Sequence, residues 1–241
     1  EAEEKEKAAE CFEKVLKSFP KHYMANKYMA RYCLDKGEPE RGKEYCVEAM
    51  RVSTQEEELI ACMRELNTQL ISLYEERMST GQAEEKDVIE LGWCFLQNDQ
   101  ASKGAALLEG RSVSALRKAE YHNLLSKCYF LMEQYDGVIS EAEKTLAHIE
   151  VEAEAREAEA KEEEKGKEKE KIPARIAGAY EMAARAYYAL AQQEAKDREK
   201  TLFCEKALAA IEKALDSMPE EREYLMEKVQ ILLEKKEYEE A

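Results

Sequence analysis

Apolar side chains recur at helical spacing along most of the chain. Between residues 119 and 146 two apolar faces follow each other, with the polar residues Glu133 and Gln134 between them. The members of these faces are Leu124, Leu125, Cys128 and Tyr129, and then Val138, Ile139, Ala142 and Leu146. Because residues three and four positions apart share one side of an α-helix, this segment is predicted to form two helices joined by a turn.

The chain is internally repetitive. The stretch AAECFEKVLKSFP at 8–20 reappears as ALAAIEKALDSMP at 207–219, and Phe95 recurs as Tyr129, 34 positions further on. A hairpin of two short helices cannot bury both of its apolar faces alone, so neighbouring hairpins must stack. The chain has only nine glycines and four prolines in 241 residues, which are too few turn-forming residues for a fold of many strands and hairpins. The sequence therefore predicts an all-α repeat fold.

The repeat resembles the tetratricopeptide repeat family, whose units carry large, small and aromatic residues at set positions. The matching residues are Leu91, Gly92 and Phe95 in one unit, Leu125, Ser126, Tyr129 and Tyr135 in the next, and Ala183, Ala184, Tyr187, Ala207, Ile211, Ala214, Leu215 and Pro219 in a third. The resemblance implies an all-α, right-handed α-solenoid of antiparallel helix pairs. It also implies a class of function, since members of this family mostly bind other proteins.

We predict a single solenoid over residues 1–241. Because the sequence begins at Glu1 without a methionine, we expect it to be a fragment of a longer chain. The predicted units are 1–22 (a second helix only), 23–56, 57–84 (one irregular long helix), 85–118, 119–150, 151–172 (a charged helical extension), 173–221 (lengthened helices) and 222–241 (truncated).

The charged extension departs most from a regular repeat. Residues 150–171 mix acidic and basic side chains with alanines, and pairs such as Glu152 with Arg156 stand four positions apart. Exposed pairs at this spacing contribute only about 0.2–0.5 kcal/mol each. One interpretation is a solvated helical extension, and the other is a protruding arm that contacts a basic partner.

Charge and cysteine usage exclude several classes of partner. The formal net charge of -16 argues against nucleic acid and anionic membrane surfaces, since both attract clustered Lys and Arg. No apolar run approaches the length of a membrane span, so no membrane insertion is expected. The seven cysteines are scattered singly, which is typical of small buried side chains in a reducing compartment. We expect a soluble, cytoplasmic protein.

The sequence contains no recognisable catalytic constellation. Its three histidines stand outside any metal-binding motif, and the glycine-rich phosphate loops and nucleophile motifs are absent. His122 is expected to pack between helices. We therefore predict no enzyme activity, no metal site and no cofactor in this segment.

Binding residues follow from the resemblance. In the family, side chains at positions 5, 9 and 12 of each first helix face the concave surface of the superhelix. Counted from residues 23, 85, 119 and 177, they include Lys27, Arg31, Ile89, Trp93, Asn123, Lys127, Phe130, Arg185 and Tyr188. Such a surface predicts a peptide ligand with acidic and apolar side chains.

Trp93 is the only tryptophan, and two interpretations of it stay open. It is either a hot spot for binding at the groove or a packing residue against the long helix at 57–79.

The function that these features favour is a protein-interaction scaffold that binds a peptide or partner protein in its concave groove. The alternative is a regulatory or substrate-presenting segment of a longer enzyme or co-chaperone, and a third interpretation is a self-associating rod. The chaperone-binding members of the family clamp a terminal carboxylate with a set of Lys, Asn and Arg residues. Counted from residue 23 this set would include Cys62 and Glu90, so a chaperone tail is not an expected ligand.

Overall fold

The computed structural model describes residues 2–53, 55–159, 167–194 and 196–240. Within these residues the chain forms eleven α-helices and no β-strand, which confirms the all-α prediction. Part of the predicted charged extension, residues 160–166, lies outside the described residues. The chain divides into two compact units, an N-terminal unit of residues 1–100 and a C-terminal unit of residues 101–241.

The N-terminal unit is a series of antiparallel helices in which each packs on the next. Its helices are α1 (Ala2–Ser18), α2 (Tyr23–Lys36), α3 (Pro39–Met50), α4 (Glu57–Ser79) and α5 (Glu85–Gln97). The core between α2, α3 and α4 is built from Ala30, Leu34, Cys46, Ala49, Leu59, Cys62, Met63 and Leu66. The long helix predicted over 57–79 is α4.

The C-terminal unit follows the same sequential packing. Its helices are α6 (Ala101–Leu108), α7 (Lys118–Leu131), α8 (Tyr135–Glu159), α9 (Lys167–Gln193), α10 (Asp197–Ser217) and α11 (Arg222–Glu240). Its largest core cluster is mostly alanine, so the helices approach closely. Residues 151–159 continue α8 past the predicted boundary at 150.

Three of the turns share both a backbone geometry and a position in the predicted units. Each contains a residue in the left-handed region, and the next N–H donates to the carbonyl five residues back at 2.8–2.9 Å. The left-handed residues are Gly37, Asp99 and Glu133, with φ of 72°, 59° and 58°. All three stand at position 15 of their predicted units, and Asp99 and Glu133 are 34 residues apart. This bonding closes the C-terminal end of the preceding helix by satisfying one of its last carbonyls.

Small residues lie where helices come closest. A Cβ added at Gly42 would stand 2.5 Å from Leu66 Cδ2 and 3.2 Å from Cys33 Cβ, and one added at Gly137 would stand 2.9 Å from the Tyr129 ring. Close approach of helices at small residues is what the small residues of the predicted repeat lead us to expect. The repeat boundaries themselves stay predictions.

Replacing Gly37 by alanine is expected to lower the free energy of unfolding of the N-terminal unit by about 1 kcal/mol. Nothing lies within 4 Å of the added Cβ, so the effect comes from the left-handed backbone alone. Urea unfolding followed by the fluorescence of Trp93 measures it. Gly37→Asn is the control, because asparagine tolerates this conformation better; equal losses in both variants would contradict the backbone explanation.

Candidate functional site

The two basic residues predicted on α2 are already paired. Lys27 forms ion pairs with Glu56 and Glu58, while Arg31 lies 3.5 Å from Asp35 and 3.4 Å from Glu65. These carboxylates belong mostly to α4 and the segment before it, next to α2 in the stack. The predicted basic character of this stretch is therefore largely neutralised within the chain.

Lys27 and Arg31 also border a cavity of about 380 Å³, which we call the Cys62 cavity. Its lining is completed by four residues of α4, namely Glu58, Leu59, Ala61 and Cys62. The cavity thus combines two paired cations at its edge with a thiol.

The two predicted residues on α5 differ in exposure. Ile89 is completely buried, so its side chain is part of the core and presents nothing to a partner. Trp93 is half-buried, between the buried residues Gly92 and Cys94. Half-burial on a helix that packs against α4 fits both interpretations of Trp93, which stay open.

Asn123 and Lys127 on α7 line a cavity of about 570 Å³ between α7, α8 and α9, which we call the α7–α9 cavity. Charged residues from the other two helices reach the same space, as does a helical glycine. They include Glu152 and Arg156 of α8 and Lys171, Arg175 and Gly178 of α9. A Cβ added at Gly178 would meet nothing within 4 Å, so this side of α9 is open.

Glu152 is the electrostatic centre of this cavity. It is fully buried, and it accepts hydrogen bonds from Arg175 Nη2 at 2.6 Å and from the backbone N–H of Glu120 at 3.0 Å. Arg156 Nη2 lies 2.9 Å from the same carboxylate. Three helices are therefore tied together through one buried charge.

Two nitrogen atoms at the α7–α9 cavity, one on Arg175 and one on Lys127, have no hydrogen-bond acceptor among the described residues. Arg175 Nη1 is buried and has no partner there, whereas Arg175 Nη2 donates to Glu152. Within the described residues, Lys127 forms no ion pair or hydrogen bond; Glu181 and Arg185 act on it only at longer range. Burial lowers the pKa of the Lys127 ammonium below its ordinary value. An anion placed here would meet two donors that the chain itself leaves unsatisfied.

The remaining predicted residues of α7 and α9 are engaged with other helices. Phe130 packs edge-on against Tyr135, with ring centroids 5.9 Å apart, beside a small core cluster of Val138, Met182 and Ala186. These contacts with Tyr135 and the cluster place Phe130 at the edge of the core.

Arg185 and Tyr188 link α9 to α11. Arg185 Nε donates to Glu227 at 2.6 Å and its Nη2 lies 2.7 Å from Glu181. The Tyr188 hydroxyl donates to the Glu234 carboxylate, and burial raises the pKa of Tyr188 to about 12. Arg185 is thus another predicted cation that the chain pairs internally.

His122 packs between α7 and α8, as expected from the sequence. Its Nδ1 lies 2.7 Å from Glu141 Oε2, and its ring stacks on His148 at a centroid distance of 5.6 Å. Burial alone would raise the pKa of Glu141, but the hydrogen bonds from His122 and Lys144 hold it below its ordinary value. This cluster joins α7 and α8.

Sequence reasoning missed Arg175 and the burial of Glu152. The charge of residues 150–171 favours a solvated or protruding segment, whereas Glu152 is fully buried. A usable signal is present in the sequence: Ile149 and Ala153 are spaced to continue the apolar face of α8, and both are fully buried. Glu152, between them along the chain, shares their burial.

Neither a metal-binding cluster nor a membrane-spanning helix is found among the described residues. No group of three or more His, Cys, Asp or Glu side chains is placed to hold a metal ion in this part of the chain. Among the same residues, none of the helices combines the length and the apolar character needed to cross a membrane.

No family model matches the chain, and no curated protein matches it. Solved structures similar to it include YrrB, described as a TPR protein with an unusual peptide-binding site, at 15% identity and a TM-score of 0.48. That match covers 91% of this chain and 98% of the other. A second similar structure is a variant of nearly identical TPR-like repeats, described as kinesin light chain repeats of Podospora anserina, at 13% identity and a TM-score of 0.32. That match covers 92% of this chain and 98% of the other. By its own helices, shared turns and close helix contacts, the chain is an all-α helical repeat protein.

Proposed function

We propose that this chain is a protein-interaction scaffold that binds an acidic segment of a partner protein in the α7–α9 cavity. The observation that carries the proposal is the pair of unsatisfied cationic groups there, Lys127 and Arg175 Nη1. The proposal assigns binding, and no chemical step, to these residues.

Unsatisfied charged donors favour binding of an anion. A buried donor without an acceptor, such as Arg175 Nη1, costs about 1–3 kcal/mol, and more when it is charged. A carboxylate from a partner would supply the missing acceptor, and hydrogen bonds between charged groups are about twice as strong as neutral ones. The cavity volume of about 570 Å³ lies within the range of ligand sites, roughly 300–1,000 Å³.

The N-terminal unit is a weaker candidate for the same ligand. Lys27 and Arg31 hold carboxylates of their own chain, so an acidic peptide would have to displace them. Such an exchange of one ion pair for another at a solvated surface yields little net free energy. Of the predicted residues, the proposal therefore retains Asn123 and Lys127 and adds Arg175.

The test is selection of a phage-displayed random peptide library on the full chain, followed by affinity measurement with the selected peptides. We expect acidic sequences, and we expect Lys127→Glu to weaken their binding by about 10–100-fold, the value of one lost charge-assisted hydrogen bond. The matched control is Lys17→Glu, which makes the same charge change at an exposed site on α1.

Arg175 is left unchanged in this test because its partner Glu152 is buried. Asn123→Ala is the second variant, since it removes a polar side chain from the cavity without changing charge. Selected peptides without acidic residues would overturn the proposal. So would equal binding by the wild type and Lys127→Glu, with circular dichroism confirming that the variant is folded.

Binding of a selected acidic peptide should also weaken as the pH is raised from 7 towards 10. The pKa of Lys127 is lowered in the free protein, so the ammonium loses its proton at a lower pH than an ordinary lysine. The charged form that binds the anion is therefore present below this lowered pKa and is lost as the pH rises through it. Isothermal titration at several pH values measures the effect.

The Lys127→Arg variant is the control for this pH dependence, since a guanidinium stays protonated throughout the range. Its affinity should change less between pH 7 and pH 10 than that of the wild type. An identical decline in both proteins would assign the pH dependence to other groups.

A further inference from the structure

Two thiols of the N-terminal unit lie in the same core cluster, at the interface between α3 and α4. Cys46 on α3 is completely buried, and Cys62 on α4 is 4% exposed. The Cys46 thiol donates to the Leu59 carbonyl of α4, with Sγ 3.6 Å from the oxygen, and Cys62 stands three residues further along α4 in the same core cluster. Two free thiols on neighbouring helices thus belong to one core cluster, which makes them candidates for a disulfide.

The surroundings of the two sulfurs differ. Cys62 lines the Cys62 cavity, so small molecules have a path to its sulfur, whereas Cys46 stands behind it in the core. The neighbouring Cys46 thiol and the nearby Arg31 guanidinium hold the pKa of Cys62 below its ordinary value, although burial opposes them. The neighbouring Cys62 thiol, together with burial, raises the pKa of Cys46. Cys62 is thus the thiol suited to react first, and Cys46 is the second thiol suited to resolve the product.

Three other cysteines lack one or both features. Cys11 is exposed, and Cys128 is fully buried with a pKa raised to about 11 by burial. Cys33 is fully buried, with its pKa likewise raised to about 11 by burial. Among Cys11, Cys33, Cys46, Cys62 and Cys128, only Cys62 both lines the Cys62 cavity and has a neighbouring thiol.

We propose that Cys62 and Cys46 form a redox-sensitive dithiol that hydrogen peroxide converts to a disulfide between α3 and α4. In the first step the Cys62 sulfur attacks the peroxide oxygen; an S–O bond forms, the O–O bond breaks, and hydroxide leaves, taking up a proton to become water. This gives the sulfenic acid of Cys62.

In the second step the Cys46 sulfur attacks the sulfenic sulfur. An S–S bond forms, the S–O bond breaks, and the hydroxyl leaves as water with the proton of Cys46. Overall the two thiols lose two electrons and two protons, and hydrogen peroxide is reduced to two molecules of water. The disulfide fixes α3 to α4 beside Lys27 and Arg31, which border the same cavity.

The experiment treats the full chain, with Cys11→Ser to suppress disulfides between molecules, with hydrogen peroxide. Intact mass spectrometry should show the loss of two hydrogen atoms, and non-reducing peptide mapping should find Cys46 linked to Cys62. In the additional variant Cys46→Ser the sulfenic acid cannot be resolved. Dimedone should then label Cys62 at least about tenfold faster than Cys128, in line with the difference between accessible and buried thiols.

Two results would overturn the proposal: peroxide treatment that leaves both thiols free while the chain remains folded, or a disulfide that joins Cys62 to Cys33 instead. The peptide map of the Cys11→Ser chain is decisive even if Cys46→Ser fails to fold. Because this dithiol lies in the N-terminal unit and the α7–α9 cavity in the C-terminal unit, the two proposals stand or fall separately.

Discussion

Replacement of Glu152 by alanine is expected to lower the free energy of unfolding of the C-terminal unit by about 3 kcal/mol. The carboxylate is fully buried and faces two guanidinium groups, Arg175 at 2.6 Å and Arg156 at 2.9 Å. Removing one partner of a buried ion pair typically costs about 3–5 kcal/mol, because the remaining charge is left uncompensated. The lower value applies here because the side chains of Arg156 and Arg175 are 30% and 23% exposed, so water can reach them.

Urea unfolding followed by far-ultraviolet circular dichroism measures this loss. The control is Glu154→Ala, which removes an exposed carboxylate two residues further along α8 and should change stability by less than about 0.5 kcal/mol. Both variants replace a glutamate of α8 by alanine, so they change the net charge by the same amount. If both variants were equally stable, Glu152 would contribute no more to stability than a surface residue. Its contacts with three helices would then not stabilise the fold.

The fold was predictable from the sequence because its signals are local. Helical spacing of apolar residues depends only on neighbours along one helix. The turn predicted at Glu133 and Gln134 lies between the end of α7 and the start of α8. The 34-residue period likewise needs no knowledge of distant contacts. Shared left-handed residues at Asp99 and Glu133 show the same period in the backbone. The left-handed backbone at these two positions was not predictable, since neither residue is glycine.

The candidate site was less predictable because its properties depend on other helices. Lys27, Arg31 and Arg185 are basic in the sequence, but each is paired with a carboxylate 29 to 42 positions away. With 53 acidic and 37 basic residues, such partners are abundant, and no pattern within one helix identifies them. Lys127 differs only because no carboxylate of the described residues comes within bonding distance. That difference arises from packing, which the spacing of residues along α7 does not encode.

Replacement of Gly42 by leucine is expected to lower the free energy of unfolding of the N-terminal unit by about 2–3 kcal/mol. Overpacking of a filled core costs about 1–3 kcal/mol, and here even the first added atom would stand 2.5 Å from Leu66 Cδ2. The side chain of Leu66 can yield a little, but Cys33 Cβ at 3.2 Å and the Ala30 carbonyl at 3.4 Å belong to the rigid part of α2. The gain in helix propensity on replacing glycine is at most about 1 kcal/mol, too small to reverse the sign.

Unfolding in urea, followed by the fluorescence of Trp93, reports on this unit specifically, because the chain has no other tryptophan. Glu44→Leu is the matched control: it places the same side chain two residues further along α3, on its exposed side, and should change stability by less than about 0.5 kcal/mol. If Gly42→Leu were as stable as this control, the helices would have to separate without loss of packing. The small residue would then be dispensable at this contact, and the close approach of α2, α3 and α4 would not depend on it.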